Sequence, residues 1–465
     1  MTQTNSPAEN KMGVMPINKL LIGMSLPMMI SMLVQALYNV VDSIFVSKLN
    51  DNAFTALSLA FPIQNLMIAV SAGTCVGINA LLSRRLGEKK FEEANKAAMN
   101  GILLALFGSA LFAIFGFTLA EKFFAMQTDD PEIIKYGTQY LSICTIFSFG
   151  IFLQMTFERL LQSTGKTFYN MITQSTGAVI NIILDPILIL GLFGFPRLEV
   201  IGSAVATVIG QVIAMLLTFY FNKSKNHEIS LKFKGFKPDF KTINTIYAVG
   251  VPSIIMQSIG SVMVFGLNKI LISYTSVAVA VFGAYFRLQS FIFMPIFGLI
   301  NGMIPIVAYN YGAKNKKRIV DTIKLSAVLA VGIMSIGLLL FQIIPERLLG
   351  IFHASEEMLE LGVPALRIIS LAFVFAGFGI TASSVFQALG NGIHSMVISI
   401  ARQLVVILPV AFIFSELFGL KSIWWCFPIA EIVSLILCVY FLKRNFQTKI
   451  NVFYDVETAE SILES

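Results

Sequence analysis

Charge is what this chain has least of. Only 13% of its 465 residues are Asp, Glu, Lys or Arg, where a soluble domain carries roughly 25%. With 56% hydrophobic residues and a mean hydropathy of +0.79, that shortage excludes an ordinary soluble domain and leaves a polytopic membrane protein. Cysteine is scarce too: Cys75, Cys144, Cys426 and Cys438 all fall within apolar runs and show no paired metal spacing. A disulfide framework and a zinc site are both excluded on that pattern. His227, His353 and His394 are scattered near predicted helix ends, so no metal or hydrolytic constellation emerges. A membrane enzyme would need a nucleophile, base or metal cluster at the water interface, and none is visible; the chain is read as a non-enzyme.

What is plentiful is Phe (41) and Met (20), which suit lipid-facing and adaptable surfaces and read for the most part as lipid contact or helix packing. Residues 1–16 are polar, with Pro7, Pro16 and a lone Lys11. The first apolar run is too long for a signal-peptide core and is expected to stay as a membrane helix.

Runs of about 20 or more apolar residues mark a membrane-spanning helix. By that rule the spans are 17–48, 53–82, 95–120, 132–160, 168–193, 199–221, 243–274, 278–308, 319–343, 357–389, 394–415 and 422–442. Several exceed the minimum length, so tilt, a proline bend at Pro27, Pro252 or Pro295, or helix beyond the lipid is expected. The connections after spans 2, 6 and 8 collect Arg84, Arg85, Lys89 and Lys90, then Lys223 to Lys241, then Lys314, Lys316, Lys317 and Arg318. Odd-numbered connections hold acidic clusters such as Asp129, Asp130 and Glu132. The positive-inside rule then puts both termini in the cytoplasm. The net charge of +7 is accounted for by these loops, and no nucleic-acid partner is needed.

An internal repeat organises the chain. Setting Pro27 against Pro252 gives an offset of 252 minus 27, or 225, and the same offset pairs Phe61 with Phe286, Gln64 with Gln289 and Gly73 with Gly298. It also pairs Gly77 with Gly302, Gly87 with Gly312, Lys89 with Lys314, Gln162 with Gln387 and Gly165 with Gly390. Each half has six spans, so both start on the same side and the repeat is parallel. The fold class is thus an all-α polytopic membrane protein, with 12 transmembrane helices in two six-helix lobes related by a parallel internal repeat. The organisation is a tail at 1–16, a first lobe at 17–221, a basic linker at 222–241, a second lobe at 242–443 and a tail at 444–465. Two such lobes rocking about a central cavity would make an alternating-access carrier.

The candidate site starts from NIILDPILI, Asn181 to Ile189. An aspartate at mid-membrane costs about 2.5 to 3.5 kcal/mol on insertion scales, which makes Asp185 a functional suspect. Asn181 is one turn away on the same face, and Pro186 cannot donate to the carbonyl of Ile182, so a local break is expected there. Counting about 1.5 Å of rise per residue brings Asp42, Asp185, Tyr140 and Thr207 to one depth in the outer half of the first lobe. Asn39 joins Asp42 and Gln211 joins Thr207 on their helix faces, and Gln35 is a further cavity-lining candidate. Two carboxylates in a poorly solvated pocket repel one another when both are ionised; a proton or a sodium ion held by Asp42, Asn181, Asp185 and Thr207 relieves that. Helix-to-helix hydrogen bonding is the structural alternative for both acids, and snorkelling to the outer surface a further one for Asp42. The second lobe lacks the acids: Asp42 answers to Leu267, and the other stretch to VVILPVAF with Pro409. Lys269, Arg287 and Glu431 are expected to form a structural charge network in that lobe, with substrate contact as the alternative, and Arg402 to snorkel.

SLPMMI at Ser25 to Ile30, RRLGEKK at Arg84 to Lys90, LLQSTGK at Leu160 to Lys166, NIILDPILI, FRLQ and IPIVAYNYGAKN together resemble the multidrug and toxic compound extrusion (MATE) family, in its bacterial multidrug efflux branch, over about residues 15–445. The resemblance implies a functional monomer in the bacterial inner (cytoplasmic) membrane. It also implies export of small amphipathic, often cationic drugs, antibiotics included, driven by H⁺ or Na⁺ as coupling ion and without a cofactor. Asp42, Tyr140, Asn181, Asp185 and Thr207 match the family's first-lobe cation or proton site. Acids used by some members in spans 7 and 10 are missing here, where Gln257, Gly260 and Gln387 stand. A lipid-linked oligosaccharide flippase of the same superfamily is the alternative; it calls for a strongly basic cavity, for which only Lys269 and Arg287 offer themselves. GINALLSRRLGEKK also resembles a major-facilitator loop, without that family's aspartate.

Overall fold

Several helices begin or end where the sequence supplies a cap. The Asp130 carboxylate accepts from the backbone N–H of Glu132 at 2.8 Å and of Ile133 at 3.3 Å, and Pro131 stands at the first helical position, where its missing N–H leaves no bond unmade. Thr275, Asn315 and Ser355 open helices in the same way, by accepting from Val277, Arg318 and Met358. Gly191, at φ 73°, closes another by turning its N–H onto the carbonyl of Ile187.

The computed structural model describes residues 10–47, 49, 51–352 and 354–452, except the side chains of 39, 40, 42–44, 46, 47 and 51. The principal helices are α1 (Ile17–Ser47), α2 (Asp51–Gly87), α3 (Phe91–Thr118), α4 (Pro131–Ile146), α5 (Phe149–Ser163), α6 (Thr167–Leu190) and α7 (Val200–Lys225). They continue with α8 (Phe240–Ile272), α9 (Ser276–Gly312), α10 (Lys316–Ile343), α11 (Glu356–Ser370), α12 (Phe373–Ala388), α13 (Gly392–Ile400), α14 (Leu408–Phe418) and α15 (Cys426–Asn445). A π-helical turn, Ala401–Ile407, joins α13 to α14. Among the described residues 10 helices are long and apolar enough to cross a membrane, and 12 spans result when α4 with α5 and α11 with α12 each count as one. The expected all-α fold with 12 spans is therefore what the chain adopts. The helices α2 and α9 run on to Gly87 and Gly312, past the expected ends at 82 and 308.

The two bent spans were not foreseen. The bend is 42° between α4 and α5 and 48° between α11 and α12, and no proline causes either. At the first, Ser148 Oγ donates to the carbonyl of Ser109 on α3; at the second, Gln342 of α10 donates to the carbonyl of Arg367 at 2.7 Å. At the second break a neighbour's side chain thus takes a carbonyl of the helix ladder, a recognised cause of kinking, and at the first the Ser148 hydroxyl ties the break to α3.

The 225-residue repeat extends to the backbone. Left-handed residues recur at that spacing: Lys89 and Lys314 (φ 58° and 56°), Gly165 and Gly390 (79° and 78°), Gly194 and Gly419 (84° and 79°). So do side-chain bonds, since Asn170 donates to the carbonyl of Glu158 and Ser395 to that of Ser383.

Contacts divide the chain into two compact units, one made of 1–29, 83–89 and 255–465, the other of 30–82 and 90–254. In the first, Gly298 and Gly302 of α9 lie against Met29 and Ser25; in the second, Gly73 and Gly77 of α2 lie against Ile254 and Ile246. The glycines correspond pairwise at 225, as do Met29 and Ile254. Without Cβ atoms the backbones approach closely, as small residues permit between membrane helices.

Candidate functional site: a buried Asp–Asn–Thr set

Within the second unit α6 packs along α7. Its buried face reads Asn170, Thr173, Gly177, Asn181, Asp185 and Leu188, a three-and-four spacing that keeps every one of them toward its neighbours. Two glycine contacts bring the backbones together. A Cβ on Gly210 would lie 2.8 Å from the carbonyl of Gly177, and one on Gly202 would lie 2.6 Å from that of Leu188. Between these contacts sit Asn181, Asp185 and Thr207.

Asp185 is fully buried, and Asn181 and Thr207 are nearly so. With the Asn181 amide turned so that its nitrogen faces the carboxylate, it donates to Asp185 Oδ2 at 2.8 Å. Its carbonyl oxygen then accepts from Thr207 Oγ1 at 3.2 Å and from the Thr207 backbone N–H at 3.1 Å. That orientation satisfies the amide at both ends, whereas the opposite one sets its oxygen against the carboxylate. The result is a carboxylate, an amide and a hydroxyl joined in one buried hydrogen-bonded set. The helix is not broken at Pro186, as the sequence had suggested. It continues to Leu190, and the proline only withholds an N–H from the carbonyl of Ile182.

Tyr140 is buried in a cluster with Ala53, Ala60, Val200 and Ala204, and Ala204 lies one turn before Thr207. Its hydroxyl accepts from Gln64 Nε2 at 3.0 Å. Gln64 was missed as a site residue, although its pairing with Gln289 in the repeat singled it out. Gln211 is half-buried and Gln35 exposed. The side chains of Asn39 and Asp42 lie outside the described residues.

In the first unit the expected charge network takes another form. Glu431 pairs with Arg402 at 2.9 Å, so Arg402 does not snorkel. Lys269 and Arg287 are exposed and take no part in the pair. Arg402 stands in the π-helical turn, whose extra residue per turn offsets the side chains that follow it.

A third buried carboxylate, Glu158 on α5, escaped the sequence reading because it falls near the end of an apolar run. It is 3% exposed and accepts from Gln154 Nε2 at 3.1 Å and Gln174 Nε2 at 2.7 Å.

The family model described as MatE matches residues 27–187 and again 252–413, two copies whose starts differ by 252 minus 27, or 225. The multidrug export protein MepA of Staphylococcus haemolyticus is 30% identical over 425 residues, covering 91% of this chain and 93% of that protein. MepA of Staphylococcus aureus (strain bovine RF122 / ET3-1) is 28% identical over 433 residues, covering 92% and 94%. Among solved structures, the outward-facing conformation of a multidrug resistance MATE family transporter of the MOP superfamily has TM-score 0.89 at 26% identity, covering 97% of this chain and 99% of that one. A MOP superfamily transporter from Pyrococcus furiosus, whose binding pocket is described as of reverse polarity, has TM-score 0.88 at 26% identity, covering 94% and 97%. With two matches of the family model that between them span most of the helices, the chain belongs to the MatE family of membrane transport proteins.

Proposed function

We propose that this protein is a secondary active multidrug efflux antiporter of the bacterial inner membrane. In this reading it exports small amphipathic, often cationic compounds by alternating access in exchange for H⁺ or Na⁺. The observation that carries the reading is the fully buried Asp185 tied through Asn181 to Thr207. An aspartate buried in a membrane bundle is stabilised when a proton or another cation joins it. Asp42 on α1 is the second carboxylate of the site, and Tyr140, held by Gln64, is its proton-carrying neighbour. The relatives named as multidrug export proteins support the choice of cargo. The coupling ion must bind the two access states unequally, since only differential binding shifts their balance.

The test is dye efflux from proteoliposomes under an imposed pH gradient or an imposed sodium gradient, each alone. Wild-type protein is expected to export in one of the two, and Asp185→Asn to remain folded in the membrane without gradient-driven export. Full export by Asp185→Asn would overturn the assignment of the site.

A further inference from the structure

Around the last turns of α5, polar side chains from α6 and α7 collect in an arrangement that the site at Asp185 does not use. Asn170 donates to the carbonyl of Glu158 at 2.9 Å, Asn222 to that of Phe157 at 2.9 Å, and Asn226 to that of Leu160 at 3.3 Å. Asn226 also donates to Asn222 Oδ1 at 3.1 Å. The amide nitrogens are thereby spent on the helix backbone and on the Glu158 carboxylate. Left over are oxygens: Thr167 Oγ1, Asn170 Oδ1, Gln174 Oε1 and Asn226 Oδ1 are all buried without a hydrogen-bond partner. Asn170 is fully buried, Thr167 1% exposed and Asn226 2%.

Buried acceptors without donors are costly, and those of Asn170 and Gln174 belong to side chains that bond Glu158 itself. The C-terminal end of α5 adds its own partial negative charge there. The ionisable groups that act on Glu158 are Arg159, its neighbour on α5, and Cys75 from α2. The guanidinium of Arg159 donates to Gln162 Oε1 at 2.6 Å, and among the described residues no ion pair reaches the Glu158 carboxylate. From α6 and α7 the site receives Asn170, Thr173, Gln174, Asn222 and Asn226.

We propose that Glu158, with the free oxygens of Asn170 and Gln174, is a second cation site of this bundle, holding one small monovalent cation near the opposite membrane face from Asp185. The cation is a proton on the carboxylate or a sodium ion among the oxygens; both answer the same excess of acceptors. On α6 the two sites are separated by about fifteen residues, roughly 22 Å at 1.5 Å per residue. The glycine contact at Gly177 and Gly210 lies between them and contributes no polar side chain. The site does not need Asp185 to be the coupling residue, and its test is made without that residue.

Full-length protein carrying Asp42→Asn and Asp185→Asn is reconstituted in lipid. One arm records the infrared band of a protonated carboxyl during acidification, and the other the binding of radioactive sodium. The expected result is one residual cation per molecule in one of the arms, abolished by adding Glu158→Gln. Should Glu158→Gln not fold, Gln174→Met removes the free oxygen together with the hydrogen bond to the carboxylate and is expected to change the residual binding about tenfold. No residual cation in either arm, or residual binding indifferent to these substitutions, overturns the proposal.

Discussion

Gly312, at the end of α9, lies so close to Arg84 that a methyl group on it would overlap the Arg84 carbonyl oxygen. The counterpart at 225 residues is the same contact reversed, with Gly87 against the carbonyl of Tyr309. The Arg84 carbonyl also accepts the N–H of Glu88, so the glycine leaves room for a turn that an alanine would push open. Gly312→Ala is expected to destabilise the protein by about 1 to 3 kcal/mol, the usual range for forced overpacking. Gly332, inside α10 with nothing near its Cβ position, is the control: Gly332→Ala is expected to gain up to about 1 kcal/mol of helix propensity. Thermal unfolding of the purified variants decides; equal shifts for both would contradict the contact.

Asn181 joins its helix-mate Asp185 to Thr207 on the next helix, so its removal should separate a local role from a structural one. Asn181→Ala deletes a charge-assisted hydrogen bond worth about 1.5 to 3 kcal/mol to the carboxylate. The expected outcome is a folded protein whose apparent affinity for the coupling cation changes by about tenfold or more. Thr207→Val, which removes only the hydroxyl contact, should have a smaller effect in the same direction. Titration of efflux against pH or sodium in the reconstituted protein checks both, and unchanged midpoints would detach Asn181 from the coupling site.

The contrast between what was legible and what was not follows from the range of each interaction. Span positions depend on local hydropathy and caps such as Asp130 and Ser355, and these can be read from neighbouring residues. Asn181 and Asp185 are one helical turn apart, so their juxtaposition was legible as well. Thr207 needed only a depth count along an adjacent helix. The bends at Phe147 and Leu371 depend on side chains such as Ser148 and Gln342 meeting carbonyls of other helices, for which the sequence has no local mark. Arg402 found its partner in Glu431 through a π-helical turn that shifts its direction, and a regular helical count misplaces it. Glu158 was hidden because an acid near a span end resembles an interfacial one until its burial is known.

The Arg402 and Glu431 pair carries a stability prediction. Both side chains are largely buried, 25% and 11% exposed, so removing one partner leaves the other uncompensated. Either Glu431→Gln or Arg402→Met alone is expected to cost a few kcal/mol, toward the lower end of the roughly 3 to 5 kcal/mol of fully buried pairs. The combination Arg402→Met with Glu431→Leu should recover much of that loss, because two apolar groups leave no orphaned charge. Expression yield and thermal midpoint measure it. A Glu431→Gln protein of wild-type stability that has lost a single drug would instead assign the pair to substrate recognition.

The turn after α2 gives a pH prediction of definite sign. Glu88 accepts from Arg84 Nε at 2.9 Å and from Arg85 at 2.6 Å. Partial burial pushes its carboxyl up, but the hydrogen bonds and charges of Arg85 and Arg84 outweigh that and hold it below the usual carboxylate range. A group depressed in the folded state binds its proton more readily when unfolded. Its stabilising contribution is therefore complete above the ordinary value of about 4.3 and is lost as pH falls through the lower folded value. Solvent reaches the pair, so the contribution stays below about 1 kcal/mol. Glu88→Gln should lower the thermal midpoint by a constant small amount at neutral pH, and that difference should shrink once pH drops below the ordinary carboxylate value. A difference between wild type and Glu88→Gln that persists unchanged in acid, or grows, would show that Glu88 acts by shape and not by charge.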